Sequence, residues 1–352
     1  MHKIKYGLNI LNNFRGSTLF FSNYFISYQP ENTIMAKFFR KTDDLLSFLL
    51  LDDSSAPYTI DKSPSFPFLV SSSYSMKMEK KNWFDPLLLQ VIPRITGKVS
   101  SEGFNDDPVG DKEASVCPGI IYKYTGRILL ISTSACAIHC RYCFRQKFPF
   151  NSIDFTCLNK SIHNYLSKNT ETQEVILSGG DPFCLDPSKV SIIVNTIKKF
   201  SSVKTIRFHT RVPVVMPDLI NDELLEILSE TKKKVNVIVV IHANHAQELQ
   251  EDCSNALDKL KRRHILLLNQ SVLLKGINDS VESLEILSQT LIDHGVLPYY
   301  LHQLDKVNGA GLFEVTEKKG KNLIKELRLK MPGYAIPKYV RENPGYKSKT
   351  PL

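Results

Sequence analysis

Short apolar runs rich in β-branched residues alternate with amphipathic stretches of helical length through most of the chain. The runs at 128–133, 174–178, 205–209, 235–241, 265–269 and 298–303 predict strands. Between them, patterns such as Leu219, Ile220, Leu224, Leu225, Ile227 and Leu228 put apolar residues on one helical face. The run Val235-Asn236-Val237-Ile238-Val239-Val240-Ile241 is apolar almost throughout, as in a parallel strand whose outer side is covered. Six such units predict an α/β fold, a partial (β/α)6 TIM-like barrel over residues 116–312. Residues 36–115 lack strand alternation. Helical patterns at 43–50 and near 83–88, around a Ser/Pro-rich stretch at 63–75, predict a helical cap in which Ser71-Ser72-Ser73 is a loop. Residues 313–352 read as a C-terminal helix and a tail. Residues 1–35 form an N-terminal extension whose first 30 residues carry Lys3, Lys5 and Arg15 and no acid, weakly like a transit peptide; Met35 offers a later start.

In such barrels the chemistry sits at the carboxyl ends of the strands. Ile131 leads to a cysteine loop, Leu177 to Ser178-Gly179-Gly180-Asp181-Pro182, and Phe208 to His209-Thr210-Arg211. Ile241 is followed by His242-Ala243-Asn244-His245, Leu268 by Asn269-Gln270-Ser271, and Leu301 by His302-Gln303-Leu304-Asp305. Polar ends converging on one rim predict an enclosed site. The loop carries Cys136, Cys140 and Cys143 as Cys-x3-Cys-x2-Cys. Three thiolates on one short loop suit three irons of a [4Fe-4S] cluster, with the fourth iron open to a ligand. The alternative is a structural zinc site, but zinc favours four closed ligands in paired form; no second pair exists, which leaves His139 as the candidate fourth ligand.

Composition narrows the class without deciding it. Apolar residues make up 42% and charged residues 23%, ordinary for a soluble globular chain of 352 residues. The net charge of +9 invites a nucleic-acid reading, yet the lysines are scattered, as in Lys232-Lys233-Lys234, and a solvated helix face explains them. Seven cysteines, an odd number without a disulfide framework, suit a reducing, cytoplasmic setting. No apolar run reaches the ~20 residues that span a bilayer, so neither a membrane nor a nucleic-acid partner is expected.

The cysteine triplet, with Tyr142 before its last member, resembles the signature of radical S-adenosylmethionine (SAM) enzymes. From Asp85 onward the chain resembles one branch of them, the lysine 2,3-aminomutase family, and most closely the short bacterial members that supply (R)-β-lysine for elongation factor P. The matching runs are Cys140-Arg141-Tyr142-Cys143-Phe144-Arg145, Ser178-Gly179-Gly180-Asp181-Pro182, Leu268-Asn269-Gln270-Ser271-Val272-Leu273-Leu274 and Pro298-Tyr299-Tyr300-Leu301-His302. Asp305-Lys306-Val307 and the terminal Ser348-Lys349-Thr350-Pro351-Leu352 complete the match.

The resemblance implies roles. Lys349 would form the Schiff base with pyridoxal 5'-phosphate (PLP), with Lys347 as a nearby competitor. Cys136, Cys140 and Cys143 would hold the cluster, and Gly179, Gly180 and Asp181 the methionine moiety of SAM. His242, His245 and Gln270 would line the SAM pocket. Lys123 and Arg127 would take the PLP phosphate, with Arg211 a further candidate. Arg145 would clamp the carboxylate of L-lysine; Asp305 and Glu342 would hold its ε-ammonium. The implied reaction moves the α-amino group of L-lysine to carbon 3 and draws an electron from a flavodoxin or ferredoxin type donor. The product would pass to the lysyl ligase of elongation factor P. Glu342 departs from the aspartate of the catabolic enzymes, the glycine-rich run before the lysine is thinned to Asn343-Pro344-Gly345-Tyr346-Lys347-Ser348, and the chain stops three residues after Lys349. A catabolic aminomutase, or one acting on another amino acid such as glutamate, is the rival within the class, although paired acids favour a cationic tail. A basic nucleic-acid-binding protein with a structural metal site is the rival outside it.

Overall fold

The structure, a computed structural model, describes residues 38–95, 102–150 and 154–352; the expected extension 1–35 lies outside the described residues. The chain opens with strand β1 (Phe38–Phe39) and helix α1 (Thr42–Phe48). Strand β2 (Val70–Ser71) pairs antiparallel with β1 and runs into α2 (Ser72–Met76), followed by α3 (Pro86–Leu89). The Ser71-Ser72-Ser73 run is therefore not a loop. The Ser71 side chain caps α2 by accepting from Tyr74 N, and both residues are fully buried; a hydroxyl that satisfies an orphan N–H favours a helix start. Asp85 caps α3 in the same way, bonding Leu87 N and Leu88 N ahead of Pro86.

A ten-stranded sheet follows. The short antiparallel strands β3 (Ser115–Cys117) and β4 (Ile120–Tyr124) lead into β5 (Arg127–Thr133). Next come β6 (Glu174–Gly179), β7 (Thr205–Thr210), β8 (Asn236–Ile241), β9 (Leu266–Val272), β10 (Leu297–His302) and β11 (Lys338–Arg341), each parallel to its predecessor. The crossovers carry α4 (Phe155–Lys168), α5 (Pro187–Ile197), α6 (Val212–Val215), α7 (Asp222–Lys232), α8 (Glu251–Arg262), α9 (Val281–Asp293) and α10 (Glu317–Lys330). Most of these helices begin where an oxygen-bearing side chain caps them, among them Asp154, Asp186, Asn221, Ser280 and Thr316. Strand β12 (Thr350–Pro351) turns back antiparallel onto β11. The sheet order is β12-β11-β10-β9-β8-β7-β6-β5-β4-β3.

The six expected strands lie where the apolar runs put them, within three residues at each end. Strand β11 and the edge strands β3, β4 and β12 were not anticipated. Sheet and helices share one large core that includes Leu130, Leu177, Phe208, Val239 and Leu267, together with Leu45, Leu87 and Ile92 from the N-terminal segment. A second cluster gathers Leu301, Leu323, Leu327 and Tyr339 and packs the terminal Leu352 against them. Gly320 makes this possible: a Cβ there would sit 2.1 Å from the Tyr339 hydroxyl, so only glycine lets α10 close on β11. Among the described residues no helix is long and apolar enough to cross a membrane.

Candidate active site

Parallel strands with right-handed crossovers send their carboxyl ends to one rim, and there the sheet encloses a cavity of about 480 Å³. Its wall brings together Cys136, Cys140, Cys143, Arg145, Gly179, Gly180, Asp181, His242, Gln270, Asp305, Glu342 and Lys349, and also Lys123 and Arg127. Every site residue anticipated above except His245 and His139 therefore meets one space. His245 instead starts a helical turn at 246–248, its ring accepting from Gln247 N.

Gly179 and Gly180 lie directly against the cysteine loop. Gly180 N donates to Thr133 O at 2.7 Å and Asp181 N to Ala135 O at 2.8 Å. A Cβ on Gly180 would approach Ala135 O to 2.3 Å, and one on Gly179, whose φ is +110°, would meet Thr133 O at 2.8 Å. Two glycines thus allow the loop to dock. The Asp181 carboxylate is engaged by the protein: it accepts from Thr210 Oγ1, Arg211 N, Phe183 N and Val212 N at 2.6–3.1 Å. That set of contacts makes it a brace between two strand ends rather than a free acid.

Two of the three thiols, Cys136 and Cys143, are pushed above the usual thiol range by their surroundings. Burial, then the neighbouring Cys140, pushes Cys143 up to about 11, and burial with Asp181 and the other sulfurs raises Cys136 well above its ordinary value. Crowded buried thiols of this kind suit a cationic metal group that would stabilise them as thiolates, although among the described residues no three His, Cys, Asp or Glu side chains converge tightly enough to form a finished metal site. His139 is turned away: its Nδ1 pairs with Pro67 O at 2.8 Å and its ring stacks on Phe66.

Arg211 is engaged by the protein at this end of the cavity. Its guanidinium donates to Cys140 Sγ at 2.7 Å, Tyr142 Oη at 2.8 Å, Gln90 Oε1 at 2.7 Å and the fully buried Glu248 carboxylate at 2.8 Å. Tyr142 Oη also meets His242 Nε2 at 2.9 Å, and Asn244 Nδ2 at 2.6 Å. Burial and the Arg211 charge hold His242 down to about 3, so its ring is neutral.

The opposite end is built by the C-terminal hairpin. Because Arg341 faces Thr350 across β11 and β12, the next pair outward is Glu342 and Lys349, which form a salt bridge. Glu342 also takes Lys123 at 3.1 Å, and Lys123 reaches Asp111 at 2.6 Å, which in turn holds Arg145 Nε at 2.8 Å. Five alternating charges thus run from the tail to the cysteine loop. Burial would raise Glu342, but Lys349 and Lys123 outweigh it and bring the group down to about 2. Asp305 has no ion-pair partner among the described residues, and burial pushes it up to about 7. Arg127 is the loosest member: its side chain is 45% exposed, 3.9 Å from Glu174 and stacked over Tyr124.

Sequence reasoning did not anticipate Asp111, Glu248 or Arg207 at the site, nor a role for His209. Arg207 and His209 also line the cavity, and each has a buried nitrogen without a hydrogen-bond partner, as does Arg211. Such orphaned donors are what a wall designed for polar ligands shows. His209 carried a signal, since it follows a strand as His242 does.

Residues 125–262 match the family model described as a 4Fe-4S single cluster domain. An L-lysine 2,3-aminomutase of Buchnera aphidicola subsp. Baizongia pistaciae is 40% identical over 309 residues, 87% of this chain and 90% of the relative. The chain belongs to the L-lysine 2,3-aminomutase family. It is accordingly an enzyme, an isomerase, as the resemblance implied. The enzyme of that name from Haemophilus influenzae is 38% identical, over 87% of this chain and 90% of its own. A radical SAM methyltransferase from Sphaerobacter thermophilus superposes with a TM-score of 0.42 at 15% identity, covering 63% of this chain and 68% of that one.

Proposed function

We propose that this aminomutase converts L-lysine to β-lysine with a [4Fe-4S] cluster, SAM and PLP, and that the product serves the modification of elongation factor P. One observation carries the reading: a single cavity joins the three cysteines, Arg145, the acids Asp305 and Glu342, and Lys349. A cation facing two acids at one end and a carboxylate facing a guanidinium at the other describe an α-amino acid with a basic side chain; an acidic side chain such as glutamate's would be repelled by Asp305 and Glu342. The sheet, curled as a partial barrel and capped by residues 36–115, is the scaffold, and residues 313–352 are the tail that carries the PLP lysine.

The residues fit the cofactors. Cys136, Cys140 and Cys143 would hold the cluster, the backbone at Gly179 and Gly180 with Gln270 and His242 would line the SAM site, and Lys123 with Arg127 would receive the phosphate beside Lys349. When bound, these groups supply the carbon radical and the temporary home for the migrating amine. The protein's share is placement. Arg145 orients the carboxylate, while Asp305, ionising when a cation arrives, and Glu342 hold the ε-ammonium. His242 and His302, both held down to about 3 chiefly by burial, add uncharged rings to the cavity wall. Electrons would come from a flavodoxin or ferredoxin type protein.

The test is anaerobic reconstitution with iron, sulfide, SAM, PLP and dithionite, then mass spectrometry of products from a panel of amino acids. β-Lysine from L-lysine is expected; its absence, or turnover of glutamate instead, rejects the reading.

A further inference from the structure

The acid at the middle of the charge chain, Asp111, has no role in the reading above. Its carboxylate is only 2% exposed. It lies in a tight turn after Gly110, whose φ is +66° and whose missing Cβ would come within 3.2 Å of Pro344 on the C-terminal hairpin. Asp107 fixes the turn by accepting from Asp111 N at 2.9 Å and Lys112 N at 3.0 Å. Lys123 Nζ anchors it again through Val109 O at 2.7 Å. A buried carboxylate braced so fully holds its geometry, and the Arg145 and Lys123 charges keep it ionised against burial.

A guanidinium is a planar fork with donors on more than one edge. Asp111 takes the Nε edge of Arg145 at 2.8 Å, and Nη1 reaches Ser178 Oγ at 3.1 Å, which fixes the plane. Phe144 lies under the guanidinium, 4.6 Å from ring centre to Cζ. We propose that Asp111 is a positioning residue for substrate selection: by holding Arg145 side-on it turns the Nη edge toward the cavity, where the α-carboxylate of the amino acid is read. This rests on the proposed role of Arg145. It differs from a charge-balancing role, in which a buried anion beside the clamp would only weaken carboxylate binding.

The test uses anaerobic PLP-loaded protein and follows ligand binding by the absorbance of bound PLP. The ligands are L-lysine and 1,5-diaminopentane, which is lysine without its carboxylate. Asp111→Asn is expected to lower lysine affinity at least tenfold and to leave 1,5-diaminopentane within twofold. In an Arg145→Gln background the same substitution is expected to change lysine affinity no further. Equal losses for both ligands, unchanged or tighter lysine binding, or loss of PLP itself would overturn the assignment. Asp111→Glu keeps the buried charge but moves it by one methylene; it is expected to show the same lysine-selective loss should the Asn variant not fold, and equal loss for both ligands there overturns the assignment too. Wild-type protein whose PLP absorbance answers to neither ligand would overturn the proposed function, and this assignment with it.

Discussion

Asp305 is the acid without a partner, and that gives its replacement an unusual sign. Burial, opposed by Lys349, moves its carboxyl from an ordinary 3.8 to about 7. At about 1.4 kcal/mol per pKa unit, holding it ionised in the folded protein above pH 7 costs roughly 4 kcal/mol. The folded value lies above the unfolded one, so the unfolded state releases its proton first as pH rises. The destabilisation is complete above about 7 and is relieved as pH falls toward 3.8. Asp305→Asn removes the charge but buries an amide with no partner built for it, at about 1–2 kcal/mol. The variant without cofactors is therefore expected to be ~2–3 kcal/mol more stable than wild type at pH 8, with the advantage gone or reversed by pH 5. Urea unfolding of both proteins at pH 8, 7, 6 and 5 measures this. The difference between them isolates Asp305, because His242 and His302, held near 3, subtract stability below pH 6.5 in both alike. A variant less stable than wild type at pH 8, or a difference that does not change with pH, would refute the reasoning. The same variant should convert no lysine, since the position is unfavourable until a cation fills it.

Glu248→Gln leaves Arg211 buried beside Cys140 without its carboxylate, and a loss of ~3–5 kcal/mol is expected in urea unfolding; a loss under 1 kcal/mol would show that Tyr142 and Gln90 suffice. Gly180→Ala drives a methyl into Ala135 O, so the purified protein should keep its circular dichroism spectrum but lose most of its iron, with stability down ~1–3 kcal/mol; full iron content would mean that the loop gives way freely. Lys349→Ala should abolish the absorbance of protein-bound PLP, and a borohydride-reducible adduct persisting on Lys347 would refute Lys349 as the anchor.

Much of the fold was legible because parallel strands covered on both faces read as unbroken apolar runs, as Ile128 to Ile131 and Val237 to Ile241 do. The edges were not. Lys338–Arg341 and Thr350–Pro351 are four and two residues long, carry a charge at each end or contain proline, and exist as strands only through their partners. The site divides along the same line. Cysteines on one loop announce themselves by spacing, whereas a lone acid after Gly110 reads as a solvated turn. Its partners, Lys123 and Arg145, stand 12 and 34 residues further on, a distance that no local pattern spans. Arg211 is only a further phosphate candidate in the sequence because an arginine on the rim has many anionic partners to choose from, and the carboxylate it pairs with, Glu248, comes from a different loop.

The seven-position spacing from Glu342 to Lys349 turns out to carry geometry. A strand, a turn with Gly345 at φ +77°, and a returning strand set the two side chains face to face, so their pairing follows from the hairpin and not from the cofactor. That pairing has a consequence for order. While Glu342 holds Lys349, the lysine Nζ is engaged, and that carboxylate oxygen cannot also receive a substrate ammonium. If Lys349 anchors PLP, loading the cofactor is the event that neutralises the lysine and frees the acid, so the ε-ammonium site is complete only after PLP is bound.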